Sequence, residues 1–156
     1  MSWHQFDATI ETQLKPHPPL DYLLIQLGGN DLVQVKSIDL INDITCSLLR
    51  LRLLCPNLVI IWSDILPRLF WYGANKPIKI NEARKRVNSA VRSFVLQHLQ
   101  GGRVIKHPNI KVCEINLYRH DGVHLSNHGN AVYLNSIQAA IECFTSNSKN
   151  NTFPMI

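Results

Sequence analysis

No run in the 156 residues approaches the ~18 consecutive apolar positions that a membrane-spanning helix needs. The opening MSWHQFDATIETQLK has no apolar core of the kind that marks a secretory leader. The four cysteines, Cys46, Cys55, Cys113 and Cys143, make no C-x-x-C pair, which removes the usual zinc and redox signatures. With no leader, reduced thiols in a cytoplasmic or other intracellular setting are expected, and the Asn150 sequon carries little weight there. Glycine is scarce: the chain has seven, and none precedes residue 28. No G-x-S-x-G nucleophile elbow occurs anywhere. Acidic residues are few, 11 against 16 lysines and arginines, for a net charge of +5. The basic residues form no long run, and no zinc-finger or RNA-reading aromatic signature accompanies them. A mildly basic surface is therefore preferred to a nucleic-acid partner.

An apolar share of 46% and a charged share of 17% describe an ordinary globular chain, long enough for one domain with a sizeable core. Phe6, Ile10 and Leu14 predict a short helix over 5–14, and PHPP at 16–19 breaks it. DYLLIQLG (21–28) is nearly continuous in apolar residues, as in a strand buried on both faces of a parallel sheet. Ser37 is the expected N-cap of a second helix with Ile41, Ile44, Leu48 and Leu51 on one face. LVIIWSD (58–64) reads as a second strand, and an aromatic-rich loop with Trp71 and Tyr72 leaves its carboxyl end. A third helix is expected over 78–99. One of GGRVIKHP (101–108) and IKVCEIN (110–116) should supply a third strand. Ser126 should cap a last helix over 127–145, and residues 147–156 read as a disordered polar tail. Strand–helix alternation of this length implies a parallel sheet with helices on both faces.

In such a sheet, ligands sit beyond the carboxyl ends of the strands. GGND, Gly28 to Asp31, stands there, directly after the first strand. Its glycines let backbone approach a ligand, and Asn30 offers amide donors for a developing oxyanion. A plain strand-to-helix turn uses the same residue types. DGVH adds the second half. Asp121 can fold back over the Gly122 turn to hold one nitrogen of His124, leaving the other free to take a proton from a hydroxyl. His120, His124 and His128 are spaced by four, as zinc ligands on one helix would be, but Gly122 and Gly129 interrupt the segment. No metal and no cofactor is expected.

GGND followed by DGVHLSNHGN resembles the SGNH (GDSL-like) hydrolase superfamily. The resemblance implies a flavodoxin-like three-layer α/β/α fold and serine esterase chemistry. Gly28, Gly29, Asn30 and Asp31 match the family's Gly-x-Asn-Asp block, and Asp121 and His124 match its Asp-x-x-His block. It implies Asn30 as oxyanion donor, His124 as base and Asp121 as its orienter, acting on a small ester. QLGGND, IIWSDILPR and DGVHLSNHGN together look like the SGNH-type domains of fish and amphibian transposable elements, over most of residues 3–145.

The family's Gly-Asp-Ser block, which supplies the nucleophile, has no counterpart. The 27 residues before Gly28 contain no glycine and a single serine, Ser2. Ser63, at the end of the second strand, reads as structural. The expectation is an SGNH-like domain over 1–146 that lacks the first two β-α units, keeps the last three of five strands and is inactive alone. The strand at 22–27 then becomes an edge, covered by residues 1–20 or paired with another chain in a homo-oligomer. A non-catalytic nucleic-acid- or protein-binding module is the alternative, with Arg84, Lys85 and Arg86 as its basic cluster.

Overall fold

β-branched and apolar side chains that alternate between two faces build the central sheet. The computed structural model describes residues 1–16 and 19–155. It has four strands, β1 (Tyr22–Ile25), β2 (Val59–Ser63), β3 (Arg103–Ile105) and β4 (Thr152–Phe153), all parallel and in the order β1-β2-β3-β4. Leu23, Ile25, Ile60, Trp62 and Val104 face one core, and Leu24, Val59, Ile61 and Ile105 face another. The first core is closed by α1 (Phe6–Leu14), α2 (Ser37–Leu54) and α3 (Pro77–His98). The second is closed by α4 (Asn127–Ser146), through Ile137, Ala140 and Phe144. This is a flavodoxin-like three-layer α/β/α arrangement. Among the described residues, no helix is long and apolar enough to cross a membrane.

Two expectations change, and of the two candidates for the third strand 101–108 is the one that forms it. The tail is not a frayed end: Thr152 and Phe153 pair with Val104 and Ile105 as β4, and Phe153 packs on the α4 core. The sheet therefore has four strands rather than three. Segment 110–116 forms no strand; after Ile110, which is buried, it turns into a short 3-10 helix, Ile115–Leu117. Ser37 does not cap α2. Lys36 takes that position in extended backbone, and no side chain bonds the free N–H groups there. Ser126 does cap α4, accepting from the Gly129 N–H at 3.1 Å. Part of the break expected at 16–19 lies outside the described residues, at 17–18.

The N-terminal segment covers a face of the sheet rather than extending its edge. Trp3 is buried, stacks on Phe6 with centroids 4.6 Å apart, and donates from its indole to Ser47 Oγ at 3.1 Å. Among the described residues no strand pairs with the outer edge of β1, where Tyr22 is 53% exposed.

Candidate active site

Gly28 to Asp31 follow β1 at the carboxyl rim of the sheet. Gly28 takes φ +107°, which a side chain would strain, and the Asp31 N–H closes the turn on Gly28 O at 3.1 Å. Asp31 itself turns inward. It is 6% exposed, and both carboxylate oxygens accept from the Trp3 backbone N–H at 3.0 Å. Its role is to anchor the N-terminal segment, and it does not line the cleft.

Asp121 and His124 sit in the turn before α4. Gly122 holds φ +68°, and a Cβ there would run into the Phe70 ring. Its carbonyl accepts from the N–H groups of Leu69 and Phe70 at 2.8 and 3.1 Å, docking the turn onto the loop after β2. Asp121 Oδ1 accepts from the backbone N–H groups of Val123 and His124, both at 2.9 Å, and Oδ2 lies 2.6 Å from His124 Nδ1. The side-chain bond to His124, followed by the two backbone donors, holds the Asp121 carboxyl well below the usual carboxylate range. The imidazole is thereby oriented with Nδ1 to the carboxylate and Nε2 free. It is an open site: the two side chains are 69% and 41% exposed, His124 the more so.

Asn30 and His124, distant in sequence, line one cleft of about 330 Å³ with Leu27, Gly28, Gly29, Leu66, Arg68 and Tyr133. A second arm, lined by Gln34, Tyr72 and Asp121, shares Gly29, Asn30, Arg68 and His124 with it. The sequence-derived residues Gly28, Gly29, Asn30, Asp121 and His124 thus come together, and Asp31 does not. His128 lies in the first turn of α4, whereas His120 and His124 belong to the preceding loop, so the three do not share a helix face.

No serine, threonine or cysteine is among the residues lining either arm. Ser2 bonds the side chain of His4, with Oγ 2.8 Å from Nδ1. Ser63 is fully buried, with Oγ 2.6 Å from His107 Nε2. Burial lowers His107 to about 4, so its ring is neutral at pH 7. That pair is packed inside the molecule.

The loop after β2 brings residues that the motifs did not mark. Asn88, 2% exposed on α3, grips the Ile65 backbone twice, accepting from its N–H at 2.8 Å and donating to its carbonyl at 3.0 Å. Arg84 donates to the same carbonyl at 3.1 Å, and the Tyr118 hydroxyl donates to Pro67 O at 3.1 Å. Arg84 is thus turned inward and away from a common basic face with Lys85 and Arg86. So fixed, the loop presents Arg68, whose Nη2 donates to Asn30 Oδ1 at 2.9 Å. Trp71 is buried beneath Arg68 and offers no open face for a base to stack on. The sequence signal was present: a cation five residues after a strand end, in IIWSDILPR.

Comparison with known proteins adds the class of fold. No protein-family model matches the sequence, and no curated protein matches it. Among solved structures, the chain is similar to a candidate acylhydrolase from Bacteroides fragilis, with a TM-score of 0.67 at 18% identity, over 92% of this chain and 71% of that one. The likeness is one of fold: this chain shares the three-layer arrangement of that structure.

Proposed function

We propose that this chain carries the oxyanion and base parts of an SGNH-type ester hydrolase site. In this reading the Asn30 amide donates to the oxygen that gains charge when an ester carbonyl is attacked. His124 Nε2 removes the proton of the attacking hydroxyl and returns it to the leaving alcohol. Asp121 keeps the imidazole in the tautomer that can do this and steadies its positive charge. The observation that supports it is the 2.6 Å contact between Asp121 Oδ2 and His124 Nδ1 beside a cleft that also holds Asn30.

The attacking hydroxyl is the missing part. In a serine-type site, loss of the nucleophile costs on the order of a millionfold in turnover. The 156-residue chain is therefore expected to be inactive alone, and the resemblance to transposable-element domains belongs to this reading. The free outer edge of β1 leads straight into Gly28–Asn30, so a strand added there would end beside the oxyanion donor. We place the missing hydroxyl on such a strand, and until one is supplied the edge pairs with a second copy of the chain.

The purified chain should hydrolyse p-nitrophenyl acetate no faster than its His124→Ala variant, and a fluorophosphonate probe should label no serine. A labelled serine together with turnover that disappears in His124→Ala would overturn the inactive reading and identify a hydroxyl outside the cleft lining. Turnover equal in the two proteins and above background would remove His124 from the role of base.

A further inference from the structure

Arg68 stands where the two arms of the rim cleft meet. A carboxamide has one accepting and one donating end, so the bond from Arg68 Nη2 to Asn30 Oδ1 leaves the Asn30 NH2 as the free end. That NH2 reaches only Met1 O, at 3.5 Å, the outer limit of a hydrogen bond. Donation into the amide oxygen also polarises the amide and strengthens the remaining donor. The guanidinium is itself held. It lies 5.0 Å from the centroid of Trp71, whose ring belongs to the core. A Cβ on Gly29 would stand 2.7 Å from Nη2, so the second glycine of GGND is the space that Arg68 occupies.

Arg68 has five N–H donors, and its one hydrogen bond among the described residues is the one to Asn30. No carboxylate forms an ion pair with it there. Asp121 acts on it through space, and its oxygens are taken up by Val123 and His124. No Asp or Glu lines the 330 Å³ arm, and Arg68 is the one Lys or Arg among its lining residues. A neutral ester would leave that half-buried charge without a partner, whereas a carboxylate would match its planar fork.

We propose that Arg68 and the Asn30 amide form one donor pair that makes the cleft selective for esters bearing a carboxylate close to the scissile carbonyl, such as half-esters of short dicarboxylic acids. Asn30 takes the carbonyl oxygen and Arg68 the carboxylate. Arg68 is then a specificity-determining residue that also positions Asn30. The proposal rests on the reading of Asn30 and His124 as an ester site.

Binding, read by NMR titration of the 156-residue chain, tests it without any turnover. Monomethyl glutarate should shift the amides of Gly29 and Asn30 and the Arg68 Nε–H, and should bind roughly tenfold tighter than dimethyl glutarate at low salt, as one charge-assisted contact allows. The difference should shrink as salt rises. Arg68→Gln should abolish the preference, and Arg68→Lys should keep part of it, since a point charge replaces the fork. Equal affinities for the two probes in the unmodified chain would overturn the proposal, whatever the variants do. A preference that survives Arg68→Gln in a well-dispersed spectrum would also overturn it. The two readings fail separately. A preference that persists in His124→Ala, with turnover above background and equal in that variant and the parent, keeps the anion site and removes the base. His124-dependent turnover with no preference keeps the base and removes the anion site.

Discussion

His107 is a buried imidazole that stabilises the fold only while it is uncharged. Its ring lies against Tyr133, 5.0 Å between centroids, and against the Ser63 hydroxyl. Burial lowers it from 6.5 to about 4. Between those values the unfolded chain binds a proton that the folded chain refuses. The contribution is therefore complete above pH 6.5 and is lost as pH falls toward 4, amounting to about 3 kcal/mol across that window. Asp64 acts in the opposite sense. Burial raises its carboxyl against the pull of Arg92, so the folded state gains as pH falls through its range. Denaturation curves at pH 7 and pH 4.5 should show a loss for the parent chain, and a smaller loss for His107→Gln. An equal loss in both would show that His107 is not its source.

The element that decides the site's geometry is the junction of the 119–126 turn with α4. Arg119 N–H donates to His124 O at 2.8 Å, and Ser126 N–H to Leu117 O at 2.9 Å, which closes the turn on itself. Ser126 Oγ then joins two segments, donating to Asn116 O at 2.6 Å and capping the helix at Gly129. Gly129 is there because the helix lies directly on the Leu117 carbonyl, where an added Cβ would collide with backbone. Gly129→Ala should cost about 1–3 kcal/mol by overpacking, lowering the melting temperature by roughly 3–10 °C in a chain of this size. It should also shift the amides of residues 117–126. Ser126→Ala should cost about 1 kcal/mol through the lost cap. Calorimetry that finds Gly129→Ala as stable as the parent would sink the close-approach argument.

For the molecule as a whole, the edges of the sheet carry the consequences. On one side β4 closes the edge of β3, and Phe153 fills space beside Ile61, Ile105 and Phe144. On the other side β1 has no strand partner among the described residues. An unpaired edge beside exposed Leu20 and Tyr22 is a template for another chain. Light scattering behind size exclusion should therefore give twice the 17.8 kDa of one chain. A monomeric mass at tens of micromolar protein would end the pairing proposal. The same experiment on a chain ending at Asn147 should show a less stable and more aggregated protein, since β3 then becomes a second open edge. A truncated chain as stable as the parent would argue against β4.

Much of this was legible in the order of residues. Three- and four-residue spacing located all four helices, and continuous apolar, β-branched runs located two of the four strands and narrowed a third to two candidate segments. GGND and DGVH could be assigned to one rim because a parallel sheet sends every strand's carboxyl end the same way, and Ser126 could be assigned as a cap because its carboxyl-side neighbours are helical. Other features came from packing between distant segments. Thr152–Phe153 is too short for any period and becomes a strand only because β3 offers free backbone groups. Asp31 looks like a site residue in its motif, yet the buried Trp3 backbone claims it. Gly29 reads as a place where backbone approaches a ligand and proves also to be room for a guanidinium arriving from residue 68. Local sequence can express propensity and periodicity, but it cannot express which group 28 or 39 residues away will meet a given atom. That is settled when the chain closes and every buried donor and acceptor must find its partner.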